Sequence, residues 1–364
     1  MPGSAPLRVV PFLVSLLALT AAPARANTIN QNTSWTINRT GATTTYRVVA
    51  YGDSIFAGYN GSLTSVSKRA GPLVEGEYLG KTFGTANIQV VRRTKSGAVA
   101  SDVYQNKIVN ERSYMQAAST RVVVFEMCGN DYLQARSSFS GQSGTCNYAP
   151  LDNALNNCTT YMERAMQAIN TYATTARAKI IMNIYYPGYA ADNVQTGCRD
   201  ATTGATVNKQ SKFLPYLARS NWRACDLAAR YGFQCADVFA QWMGAEYDSN
   251  GDGLVDTAGL AWRAGESEAD YVQRISVTLR GTLRDANGHL TSPSTSYDYL
   301  LSDDTHPTYT GGTIGVNIFT GSGSGSGAPD YSDAQIVNGQ NPVWNRLGHE
   351  KAGWTLSGKN PTSP

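Results

Sequence analysis

Four short stretches of this 364-residue chain carry residue types that suit acyl transfer, and each lies where the backbone must turn. The first is Gly52-Asp53-Ser54-Ile55, directly after the apolar run YRVVAY (46–51). A serine at the tip of a buried parallel strand, on a turn that Gly52 permits, exposes its hydroxyl at the edge where such sheets bind ligands. The second is Arg93-Thr94-Lys95-Ser96-Gly97-Ala98, where Gly97 can offer a backbone N–H with no side chain in the way. The third is Cys128-Gly129-Asn130-Asp131, whose Asn130 amide can donate to a developing oxyanion. The fourth is Ser302-Asp303-Asp304-Thr305-His306-Pro307. A serine nucleophile needs a base, and the chain offers His289, His306 and His349. Of these only His306 has a carboxylate three residues ahead, Asp303, to fix its tautomer. Taken singly, each stretch also reads as an ordinary turn.

These residues need a scaffold, and the apolar runs supply one. Compact runs rich in apolar and β-branched residues recur at 46–51, 88–92, 121–127, 179–185 and 233–239. That pattern predicts strands buried on both faces, hence a parallel sheet covered by helices. Between two of them, 151–176 places Leu155, Tyr161, Met162, Ala165, Met166, Ile169 and Tyr172 at helical spacings. A further helix is expected over 266–284, opening on a Ser267-x-x-Asp270 cap. Residues 27–45 are rich in Asn and Thr and read as an exposed arm, and the GSGSGSG tract at 321–327 cannot build a core.

In this order the four stretches resemble the blocks of the SGNH hydrolases, also called the GDSL esterase/lipase family, from Tyr46 to Trp354. The resemblance implies a flavodoxin-like three-layer α/β/α sandwich with a central parallel sheet of about five strands. It assigns Ser54 as nucleophile, His306 as general base and Asp303 as the acid that orients it. The oxyanion hole is then the N–H groups of Ser54 and Gly97 with the Asn130 amide. Two places depart from the pattern. Asp304 competes with Asp303 as the orienting acid, although the spacing favours Asp303. The final block, usually continuous, breaks after His306-Pro307 and resumes at Asn345-x-x-Gly348-His349-x-x-Ala352. An insertion over 308–344, with another near 240–265, is therefore expected in a single catalytic domain covering 46–364, and His349 is expected to be a helix residue rather than the base.

Composition sets the context. Residues 1–26 combine Arg8, a short apolar stretch and Ala24-Arg25-Ala26, the pattern of a secretory signal; the stretch is too short to span a bilayer. The chain has 30 Lys+Arg and 27 Asp+Glu; without Arg8 and Arg25 the balance is 28 − 27 = +1, which argues against nucleic acid as a partner. Six cysteines, no CxxC and three histidines favour disulfides over metal, with local closures of Cys128 to Cys146 or Cys158 and of Cys198 to Cys225 or Cys235. Asp248, Asn250, Asp252, the Leu254 carbonyl and Asp256, with Gly253 at the sharp turn, match an EF-hand-type loop except for Gly259 in place of the bidentate Glu. A structural Ca²⁺ fits there, and serine chemistry needs no cofactor. The reading is a secreted serine esterase acting on short acyl esters of a small molecule, a lipid or an acylated glycan. The alternatives are a lipase or phospholipase of the same family, or a non-catalytic, calcium-stapled polysaccharide-binding protein.

Overall fold

The structure is a computed structural model that describes residues 29–38, 41–63, 65–66, 71–72, 75–76, 79, 86–184, 195–243, 260–278, 306, 315–317 and 322–324. Its centre is built from β-branched runs that have no polar face. Val48, Val49, Ala50 and Tyr51 are all fully buried, as are Val122, Val123, Val124 and Phe125, so successive side chains bury on opposite sides of one sheet. The strands are β1 (Ile29–Asn30), β2 (Thr33–Ile37), β3 (Thr44–Gly52), β4 (Ala86–Ser96), β5 (Thr120–Glu126), β6 (Ala178–Met182) and β7 (Gln234–Ala236). Five of them run parallel in the spatial order β4-β3-β5-β6-β7. Taken as a set of five, that is the 2-1-3-4-5 order of a flavodoxin-like sheet. The chain moves one way from β3 to β4 and the other way from β5 onward. A crevice therefore opens beyond the carboxyl ends of β3 and β5, and these are the ends that carry Ser54 and Asn130.

Residues 29–38 and 41–45 differ from the exposed arm expected over 27–45. β1 and β2 both pair antiparallel with β4, with Ile29 opposite Ser96 and Thr33 opposite Arg92, and β3 already begins at Thr44. The reason lies in alternation and in one buried lysine. Thr33, Trp35 and Ile37 face inward while Ser34 and Thr36 are exposed. Between the two strands, the Asn32 side-chain oxygen accepts from Thr94 N at 3.2 Å and from the buried Lys107 ammonium at 2.9 Å. The Asn/Thr-rich composition conceals an edge strand.

Helix Ala149–Tyr172 buries Leu151, Ala154, Leu155, Cys158, Met162, Ala165, Met166 and Ile169, the three-and-four spacing of one helical face. Helix Lys209–Tyr231 is capped by the Asn208 side chain, which accepts from Ser211 N at 3.0 Å, and ends at Gly232, whose φ of 72° suits a glycine. Helix Glu268–Thr278 opens as its cap predicts: Asp270 N donates to Ser267 Oγ at 3.1 Å. Within the GSGSGSG tract, Ser322–Ser324 pairs antiparallel with Gly315–Asn317.

The cysteine pairing is corrected. Cys146 bonds Cys198 and Cys225 bonds Cys235, while Cys128 and Cys158 are free and buried. The expectation considered only closeness along the chain. Strand Ser143–Thr145 lies parallel to Gln195–Arg199, which carries Cys146 to Cys198 across 52 residues. The second bridge closes the turn at Gly232, from helix Lys209–Tyr231 back into β7. No helix among the described residues is long and apolar enough to cross a membrane.

Candidate active site

Ser54 lies at the start of the one-turn helix Ser54–Ala57, immediately beyond the carboxyl end of β3. Asp53 caps that turn: its Oδ1 accepts from Ile55 N at 2.9 Å. Gly58 closes it with φ of 74°. The amides around the serine are almost all committed. Asp53 N donates to Glu126 Oε1 at 2.5 Å, Phe56 N donates to the Glu126 carboxyl, Ala57 N to Asp53 O at 3.0 Å and Gly58 N to Ile55 O at 3.1 Å.

His306, 252 residues away in sequence, places Nε2 2.7 Å from Ser54 Oγ. This is within reach for transfer of the serine proton. One face of the imidazole stacks on Tyr59, with ring centroids 4.0 Å apart and planes 29° apart. Asp303 and Asp304 lie outside the described residues, as do Asp248, Asn250, Asp252, Leu254, Asp256 and His349. Among the described residues, no group of three or more His, Cys, Asp or Glu is placed to hold a metal ion.

Gly97 follows β4 with φ of 76°, inside a turn closed by Ala98 N donating to Lys95 O at 3.1 Å. A side chain there would strain the left-handed backbone, so the glycine is required by the turn itself. Asn130 stands in the first turn of helix Gly129–Ser140, whose N-cap Cys128 is the only non-glycine residue with positive φ (87°) among those described. Its Nδ2 donates to Asp53 Oδ2 at 3.0 Å and to Ala98 O at 3.0 Å. Asn130 thus ties the glycine turn to the serine turn, and both of its N–H groups are already in use. Asp131 extends the bracket by accepting from Ala100 N at 2.7 Å.

Below these groups the site is acidic and buried. Burial raises the carboxyl of Asp53, with the Ile55 amide opposing the shift. Burial, then the neighbouring Asp53 charge, raises Glu126 well above the usual carboxylate range. Burial likewise pushes Asp131 up to about 7 and the Cys128 thiol to about 11. Sequence reasoning did not single out Glu126, although a carboxyl ending an otherwise apolar strand was a readable signal. Tyr59 gave none, because nothing local shows that a tyrosine five residues past the serine will meet a distant histidine.

The family model for GDSL-like lipase/acylhydrolase matches residues 48–314 of this chain. None of the curated proteins matches it. Among solved structures, that of TesA is 15% identical with a TM-score of 0.33, over 65% of this chain and 98% of that one. LAE5, an alpha/beta hydrolase enzyme from the metagenome of Lake Arreo, Spain, is 16% identical with a TM-score of 0.33, over 66% and 95%. Axe2, an acetylxylan esterase from Geobacillus stearothermophilus, is 15% identical with a TM-score of 0.34, over 66% and 94%.

Proposed function

Because the chain belongs to the GDSL-like lipase/acylhydrolase family, and so to the ester hydrolases, we propose that it is an exported serine esterase working through an acyl-enzyme. The observation that carries this reading is the 2.7 Å approach of His306 Nε2 to Ser54 Oγ. His306 takes the serine proton as Oγ attacks the ester carbonyl. The carbonyl π electrons move to oxygen, and the oxyanion is held by the N–H groups of Ser54 and Gly97, with Asn130 as the third donor. Collapse of the tetrahedral intermediate breaks the ester C–O bond, and His306 returns the proton to the departing alcohol. Water, deprotonated by the same imidazole, then releases the acid and restores Ser54. Asp303 is assigned to the Nδ1 side of His306, where a carboxylate fixes the tautomer and stabilises the imidazolium.

Two disulfides and the signal-like first 26 residues support export. No amphipathic lid is evident in the sequence, so short acyl esters are the proposed substrates. The test is hydrolysis of p-nitrophenyl esters from acetate to palmitate by the protein and by Ser54→Ala. Turnover that disappears in the variant and peaks at acetate or butyrate is expected. A peak at palmitate would replace the short-acyl reading with a lipase. Turnover that survives in Ser54→Ala would dismiss the serine mechanism.

A further inference from the structure

The serine turn rests on a carboxyl group that no step of the ester chemistry uses. Glu126 ends β5, and its side chain points beneath the turn with 3% of the residue exposed. It accepts the amides of Asp53 and Phe56, one on each side of Ser54-Ile55. The chain passes so close above it that a Cβ on Gly52 would fall within 3.0 Å of three atoms of the Glu126 side chain. Gly52 therefore does more than permit a turn: it leaves the space that this carboxyl fills. The groups facing Glu126 are Asp53 from the turn and Cys128 from the start of the following helix, with His306 and Asn130 reaching it through Asp53.

We propose that Glu126 is a positioning residue for the reaction: its buried carboxyl fixes the turn over residues 52–56 so that Ser54 Oγ meets His306 and Ser54 N–H faces the carbonyl oxygen. This inference rests on the serine-esterase reading above. The geometry also says which replacement can stand in for the acid. Two carboxyl groups packed together in a buried site keep a proton between them. Burial, then the charge of Asp53, raises the Glu126 carboxyl, so the shared proton is assigned to Glu126, which then accepts the amides and donates to Asp53. Glutamine offers the same pair of functions. Alanine offers neither, and aspartate is one methylene too short to reach.

The test uses the whole protein and the rate at which a fluorophosphonate phosphonylates Ser54, because this readout needs no knowledge of the natural ester. The probe loses fluoride as the Ser54 Oγ–P bond forms, and the serine proton goes to His306. Glu126→Ala, Glu126→Asp and Glu126→Gln are compared with the parent protein. p-Nitrophenyl acetate is run in parallel, and circular dichroism checks folding. A misplacement of the order of 1 Å costs about 10²-fold, so Ala and Asp are expected to label about 10- to 100-fold more slowly. Their loss in ester turnover should fall on kcat with KM within about twofold, and Gln should recover to within about fivefold of the parent. Ala or Asp labelling at the parent rate overturns the proposal, as does Gln as slow as Ala. If Ala fails to fold, Asp alone decides by the same criterion. A parent protein whose Ser54 is not labelled refutes the serine reading and this proposal with it. Labelling that is normal in all four refutes the proposal alone.

Discussion

Replacing Asn130 by alanine removes a donor that is already doubly bonded, and the size of the effect follows from that. In the resting site Nδ2 donates to Asp53 Oδ2 and to Ala98 O, each at 3.0 Å. An oxyanion can gain this donor only by displacing one of the two. A preorganised oxyanion donor is worth about 2.7–4 kcal/mol, and the exchanged bond gives back roughly 0.5–1.5 kcal/mol. The net transition-state loss in Asn130→Ala is then about 1–3.5 kcal/mol, or roughly 5- to 400-fold in kcat. The variant also leaves Asp53 Oδ2 and Ala98 O without their donor. Asn130 is 9% exposed, so water replaces it only in part, and global stability should fall by about 1–3 kcal/mol. The assay is steady-state hydrolysis of p-nitrophenyl acetate, with urea unfolding of the same preparations and Ser54→Ala as the floor. A variant with unchanged kcat would mean that the amide keeps both partners through the transition state and is a bracket only. A loss confined to KM would equally refute the exchange.

Gly52→Ala should be strongly destabilising, by about 2–5 kcal/mol, since overpacking adds to the loss of the Glu126–Asp53 bond. Much of that cost should vanish in the Gly52→Ala/Glu126→Ala double variant, so a urea-unfolding cycle that proves additive would rule out the clash. Asp131 has a folded pKa of about 7 against an ordinary 3.8. Between those values the folded state holds more protons than the unfolded one, so its contribution to stability falls as pH rises and levels off above 7. Relative to the parent, Asp131→Asn should therefore gain up to about 4 kcal/mol between pH 4 and pH 7, and a pH-independent difference in urea unfolding would contradict this. Finally, the loop from Asp248 to Asp256 is proposed to bind Ca²⁺ as a staple. Melting a few degrees higher in calcium than in chelator is expected, with esterase activity at 25 °C unchanged, and equal melting temperatures would eliminate the site.

The parallel strands were legible because burial on both faces keeps their centres apolar, as in VVAY of 48–51 and VVVF of 122–125. Their spatial order came only through the resemblance to a flavodoxin-like fold, since lateral placement depends on helix packing far from any one strand. The edge strand at Thr33–Ile37 was missed because its alternation is short and its anchors, Lys107 and Thr94, lie more than sixty residues away. Ser54, Gly97 and Asn130 could be placed at strand ends from local pattern alone. Their convergence through Asp53 and Ala98 could not, and the choice of His306 came from the carboxylate three residues ahead of it and from motif order. The disulfides failed for a related reason: Cys146 meets Cys198 through a small sheet whose strands are too short to announce themselves.

The edge strand also bears on how the chain assembles. β1 and β2 emerge early in synthesis, yet the face they cover, the eleven-residue β4, is made some fifty residues later. Until the two meet, one of the longest strands of the molecule presents an open row of amides and carbonyls to any other chain nearby. Among the described residues, the opposite edge is β7, only three residues long, which offers little to pair with. Trimming the N-terminal strands would uncover this edge, and is expected to reduce the yield of soluble protein before it alters the chemistry at Ser54.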